Sequence, residues 1–120
     1  MTRSTPAWSQ APAYPAQPIR IVVPLSPGGN VDIVARSIAQ QLTEGLGQQV
    51  IVENRPGASS LVGTQLAAKA PPDGYTLLGT FSSHSQNPIL YKSLPFDTVR
   101  DFAPITVFGT VPNILVINPS

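Results

Sequence analysis

Ile19-Arg-Ile-Val-Val23 is apolar at four of five positions and runs straight into Pro24-Leu-Ser-Pro-Gly-Gly-Asn30, after which an amphipathic helical pattern begins. A strand that is apolar on successive residues has no face for solvent, so it must be covered on both sides. Pro24 and Pro27 end the ladder, and Gly28 and Gly29 permit a tight corner. Strand, glycine corner and helix in that order open a parallel βα unit.

The pattern then repeats. Val31, Val34, Ala35, Ile38, Ala39, Leu42 and Leu46 fall at helical spacing, which predicts one helix with a single apolar stripe. Asn30 is its expected N-cap, Asp32 complements the helix dipole in the first turn, and Gly45 and Gly47 are its expected terminators. Val50–Val52 reads as a second strand, broken by Asn54-Arg-Pro-Gly57. A second helix is expected from Ser59 or Ser60 to Ala70, burying Leu61 or Val62, Leu66 and Ala70. Pro71-Pro-Asp-Gly74 signals a turn, and Tyr75–Leu78 a third strand. The segment Thr80–Asn87 is polar, with a short helical turn expected over Pro88–Tyr91. Ile105–Phe108 and Asn113–Ile117 read as two further strands. The resulting fold class is α/β, a parallel-rich open sheet with right-handed βαβ crossovers. Residues 1–18, rich in Pro and Ala, are expected to form a flexible leader, and residues 19–120 one domain.

Composition excludes several functions. The chain has 120 residues, a formal net charge of +1 and only 11% charged residues, so it generates no field that would gather nucleic acid. With no cysteine and one histidine, disulfides and thiolate metal sites are excluded and no metal centre is expected. No apolar run is long enough to span a bilayer. Ala7-Trp-Ser-Gln-Ala11 resembles the small-residue tail of a secretory signal, yet the apolar signal core is not present in these residues.

Open parallel sheets bind ligands beyond the carboxyl ends of their strands, where all three expected corners should meet. The first offers Ser26, Gly28, Gly29 and Asn30; the second Arg55, Gly57, Ser59 and Ser60; the third Thr80, Ser82, Ser83 and His84. Exposed amides, hydroxyls and helix N-termini together suit a carboxylate. Each also has a purely structural reading: turn glycines, helix-capping serines, an Arg55 that pairs with Glu53, and a loop histidine. No dinucleotide fingerprint, P-loop or nucleophile elbow occurs. A small α/β hydrolase-like enzyme using His84 with Ser82 or Ser83 is the alternative reading, and an inert fragment or interaction module a third.

The order of motifs carries a further signal. Tyr14-Pro-x-x-Pro-Ile-Arg-Ile-Val-Val-Pro24 leads to Pro27-Gly-Gly-x-x-Asp-Ile-Val-Ala-Arg36. Val52-Glu-Asn-Arg-Pro-Gly-Ala58, Ala70-Pro-Pro-Asp-Gly-Tyr-Thr-Leu-Leu78, Asn87-Pro-x-Leu-Tyr91, Leu94-Pro-Phe-Asp97 and Asp101-Phe-Ala-Pro104 follow. The series resembles the Bug-type periplasmic solute-binding receptors of tripartite tricarboxylate transporters.

That resemblance implies a two-domain binding protein of the type II-like periplasmic fold, of which this chain would be an incomplete first domain with the second absent. It implies a small carboxylate solute, membrane components of a transporter as partners, a periplasmic location, no cofactor and no catalysis. Ser26, Gly28, Gly29 and Asn30 match the family loop that grips a carboxylate end, and Ser82 and Ser83 match another cleft-lining segment. The resemblance departs at Asn30, where the family has a smaller residue, and at Gly57-Ala-Ser-Ser-Leu61, where it usually reads Gly-Ala-Gly-Gly-Asn.

Overall fold

The computed structural model describes residues 13–110, 112 and 114–117. Ile19–Val23 forms β1, Asn30–Leu46 α1 and Val50–Asn54 β2; a 3-10 turn over Ala58–Ser60 leads into α2, Leu61–Ala68. Thr76–Leu78 forms β3 and Ser83–Leu90 forms α3. The three strands make one parallel sheet in the order β2-β1-β3. Ile21 of β1 stands opposite Val52 on one side and Leu77 on the other.

β1 is central because its side chains can be buried on both faces. Ile19, Ile21 and Val23 enter a core with Ala35 and Ala39 of α1 and Val50 of β2. Val22 points to the opposite face by the two-residue alternation of a strand and is completely buried there. Arg20, the one charged residue of β1, reaches outward to Glu53 of β2 at 3.2 Å.

The sequence expectations for β1 and for the span of α1 match these elements. Asn30, however, is the first residue of α1 rather than its cap, a position taken by Gly29. Its Oδ1 accepts from the Val31 amide at 3.0 Å. Gly45 lies inside the helix, and Gly47, in the left-handed region at φ 67°, ends it.

α2 departs further from expectation. It buries Gly63 and Thr64 rather than Leu61 or Val62, because it is held against the end of β1 by a small residue. A Cβ at Gly63 would stand 2.7 Å from the Arg55 carbonyl oxygen and 2.8 Å from Pro24 Cα. Thr64 fits beside it by turning its hydroxyl back onto the Ser60 carbonyl at 2.7 Å. α3 begins at Ser83, well before the expected Pro88 turn, and carries Pro88 inside it.

Ile105–Phe108 and Ile114–Ile117 do not form strands. Their apolar pattern suits a strand, but a ladder needs a partner, and no described strand pairs with them. Ile105, Val107 and Ile114–Ile117 are each at least 76% exposed. Asn113 lies outside the described residues, as do residues 1–12 of the expected leader and the signal-like Ala7–Ala11. The described end of that leader is tied down: the Tyr14 hydroxyl donates to the Gly74 carbonyl at 2.8 Å, and the Ala16 amide donates to the Tyr75 hydroxyl at 2.8 Å. The rings of Tyr14 and Tyr75 pack 5.0 Å apart.

The close approach at Gly63 predicts its own test. Alanine is ordinarily favoured over glycine in a helix by about 1 kcal/mol, but here the new methyl meets backbone that cannot swing away. Gly63→Ala should therefore lower stability by about 1–3 kcal/mol, the cost of overpacking, read as a reduced urea midpoint with an unchanged slope.

Candidate functional site

The first corner is held by a single carboxylate. Asp32, 3% exposed, accepts from the Gly28 amide at 2.9 Å and from Arg36 Nε at 3.0 Å through Oδ2. Its Oδ1 accepts from Asn54 Nδ2 at 2.9 Å. Asn54, at the end of β2, also donates to the Leu25 carbonyl at 3.2 Å and accepts from Arg36 Nη2 at 2.9 Å. The corner, the first turn of α1 and the end of β2 thus share one network. Gly28 sits at φ 85°, a left-handed conformation that spares glycine the Cβ clash. The Arg36 guanidinium, the Gly28 amide and the Asn54 amide hold the Asp32 carboxyl at a pKa of about 2, below its ordinary 3.8.

The second corner is strained. Ala58, Ser59 and Ser60 have φ of 45°, 53° and 76°, three successive non-glycine residues in the left-handed region. Ser59 and Ser60 occupy the positions where the resemblance expects glycine. Arg55 pairs with Glu53, which agrees with its structural reading.

All three corners come together at the carboxyl edge of the sheet, but they form two grooves rather than one. The larger, about 620 Å³, is lined by Asn30, Val31 and Val34 of α1, by Thr80, Ser82, His84 and Ser85, and by Thr106–Gly109. The smaller, about 290 Å³, is lined by Ser26, by Ala58, Ser59 and Ser60, and by Ser83. Phe81 lines both.

The expected site residues are therefore divided. Asn30 and Ser82 share the larger groove, and Ser26 and Ser83 the smaller. Gly28 and Gly29 line neither, and the Gly28 amide is already committed to Asp32. Ser59 and Ser60, which stand where the resemblance has glycine, lie beside Ser26 in the smaller groove.

His84 is placed by packing. Its Nε2 lies 3.0 Å from the Thr98 carbonyl oxygen, and its ring meets Phe102 edge-on at 5.0 Å. Phe102 in turn meets the buried Phe96 edge-on at 6.2 Å. Asp97 organises this segment by accepting from the Val99 and Arg100 amides at 2.9 Å each, bonds that lower its pKa, the Arg100 amide first. Neither Ser82 nor Ser83 is hydrogen-bonded to the imidazole, so the nucleophile–base pair that the hydrolase reading requires is not assembled. Among the described residues no cluster of potential metal ligands occurs.

A family model described as the tripartite tricarboxylate transporter family receptor matches residues 34–120. The chain belongs to this receptor family. The protein BugT of Bordetella pertussis is 44% identical over 114 residues, which cover 91% of this chain and 34% of BugT. Among solved structures, the periplasmic binding protein BugD superposes with a TM-score of 0.73 at 42% identity, covering 77% of this chain and 31% of BugD. MatC of Rhodopseudomonas palustris, solved with bound malate, gives 0.71 at 35% identity, covering 76% of this chain and 31% of MatC. The chain spans about a third of the length of the curated relatives it matches. The receptor family is one of transport receptors, not enzymes, and the parallel α/β architecture is the one these periplasmic binding proteins share over that span. No described helix of this receptor-family chain is long and apolar enough to cross a membrane.

Two predictions follow from the corner geometry. Because Asp32 has its pKa lowered from 3.8 to about 2 in the folded chain, its stabilising effect is complete above pH 3.8 and is lost as pH falls through about 2. Asp32→Asn should destabilise the chain at neutral pH and flatten the fall in stability over that acid interval, measured by urea unfolding at stepped pH. At the second corner, glycine relieves the left-handed strain of about 1–3 kcal/mol and loses about 0.5–1 kcal/mol of backbone entropy. Ser60→Gly should therefore raise stability by about 1 kcal/mol, visible as a higher melting temperature.

Proposed function

We propose that this chain contributes one wall of a periplasmic solute-binding receptor, and that its larger groove holds a carboxylate end of a small organic acid. The observation that carries the reading is the donor set of that groove. Asn30 and Ser82 offer an amide and a hydroxyl at the carboxyl edge of the sheet, and no residue lining the groove is acidic. A carboxylate entering it meets neutral donors without facing like charge. Family membership supports the solute class, and the malate bound by MatC is of that chemistry.

Within this reading Asn30 and Ser82 contact the solute directly. Ser26 and Ser83 act from the adjoining smaller groove, and the Gly28–Gly29 backbone shapes the corner. Residues 19–120 form the first-domain wall, and the opposing wall comes from a second domain of the kind the longer relatives have length for. Delivery of the solute to membrane components of a tripartite transporter, and a periplasmic location, complete the proposal. No cofactor enters it.

Asn30→Asp provides the test, since aspartate suits the first turn of a helix and preserves size while placing a negative charge in the groove. Calorimetric titration with malate, succinate and adipate should show affinity falling at least about tenfold in the variant, with melting temperature maintained. Unchanged affinity in Asn30→Asp would remove Asn30 from the site, and no binding of any acid once the opposing wall is supplied would remove the carboxylate reading itself.

A further inference from the structure

Much of the larger groove presents carbon to solvent. Val31 and Val34 of α1, Leu78 at the end of β3, and Phe81, Val107 and Phe108 line it. Val34, Phe81, Val107 and Phe108 are between 37% and 77% exposed, so they carry apolar surface that the fold itself does not cover. Phe108 has a seat. Its Cε2 lies 3.9 Å from where a Cβ on the buried Gly79 would stand. The Gly79 amide in turn donates to the Val22 carbonyl at 2.9 Å, just past β3. A ring resting on that glycine holds the Thr106–Gly109 wall beside the sheet.

Most polar residues of the same groove are engaged elsewhere. Ser85 Oγ donates to the Ser82 carbonyl at 2.9 Å, and His84 Nε2 lies 3.0 Å from the Thr98 carbonyl oxygen. Thr80 Oγ1 and His84 Nδ1 are hidden from solvent, so neither is offered to a molecule entering from outside. Asn30 uses Oδ1 on the Val31 amide, which leaves its side-chain nitrogen free to donate. With the Ser82 and Thr106 hydroxyls this makes a small neutral donor set in a groove otherwise rich in carbon. Among the described residues that line the groove, none is Lys, Arg, Asp or Glu.

That combination discriminates among acids. A groove of about 620 Å³ is of the size that encloses a whole small ligand, so both ends of a short diacid would lie within it. One carboxylate can take the neutral donors. A second would be desolvated against valine and phenylalanine with no cation to pair it, which is costly. An apolar end instead gains by covering those side chains. We infer that the larger groove takes an acid with one carboxylate and an apolar body, and that Val34 and Phe81 select that body over a second charge. The inference rests on the carboxylate reading above and adds the class of solute.

Succinate and isocaproate provide the probe, because they share one shape and differ only in that an isopropyl group replaces the second carboxylate. Titrated into the chain and followed by the resonances of the groove residues, isocaproate should bind at least about tenfold more tightly. Val34→Thr keeps the side-chain shape, exchanges a methyl for a hydroxyl, and should reduce that preference about threefold. Ile33→Thr, at an exposed neighbour that does not line the groove, should leave it unchanged. Should Val34→Thr fail to fold, the unaltered chain gives an independent readout: the isopropyl methyls should show nuclear Overhauser contacts to the Phe81 ring. Isocaproate binding no more tightly than succinate, or bound without contact to Phe81, would overturn the inference while sparing the carboxylate reading. Failure of both acids to shift the groove resonances would also overturn it, since every apolar contact it invokes lies on this chain; the carboxylate reading would then stand or fall on titration with the opposing wall supplied. Binding of the neutral isocaproamide as tightly as the acid would remove that reading and this inference with it.

Discussion

The Asp32 carboxylate is the constraint on which the rest of the site depends. A buried anion must collect several donors or give up its charge, and this one draws them from three places in the chain. The Gly28 amide comes from the corner, Arg36 from the next turn of α1, and Asn54 from the end of β2. Satisfying the charge therefore fixes the corner to both the helix and the neighbouring strand. It also divides the labour among donors. The Gly28 amide is spent internally, and the donors left facing the larger groove are side chains of Asn30 and of the third corner.

How far the fold could be read in the residues depends on whether a feature is local. β1 needed only its own apolar run, and α1 only its stripe and Gly47. The two residues α2 buries were invisible for a physical reason: close backbone approach favours glycine and threonine, while a reading by hydrophobicity looks to leucine and valine. Ile105–Phe108 and Ile114–Ile117 show the complementary failure. Strand propensity is a property of the segment, but a ladder is a property of a pair. At the site, the three converging corners were legible from the repeated strand-corner-helix order. Their partition around Phe81 was not, since it depends on how the side chain between Thr80 and Ser82 is turned. Asp32 was read as a helix-dipole residue, and the feature that hinted at more was its spacing from Gly28 and Arg36, four residues on either side.

Stability and recognition are set against each other in two segments of this edge. Ala58–Ser60 holds left-handed backbone in residues that disfavour it, and the segment Thr80–Asn87 hides polar atoms without partners. Neither helps the chain fold. Both sit at the carboxyl edge of the parallel sheet, the edge where open α/β sheets bind ligands and where departures from local consistency are expected to collect. The opposite side of the sheet shows no such departures in β1, whose buried aliphatic side chains meet the alanines of α1.

The tie between Tyr14, Gly74 and Tyr75 gives the molecule a direction. It closes over the amino ends of β1 and β3, at the edge of the sheet farthest from the two grooves. Any surface or fusion partner joined through the amino-terminal side of Tyr14 therefore holds the sheet by its blunt end. The grooved edge then faces away from the point of attachment, open to whatever diffuses past and to any second wall that closes on it.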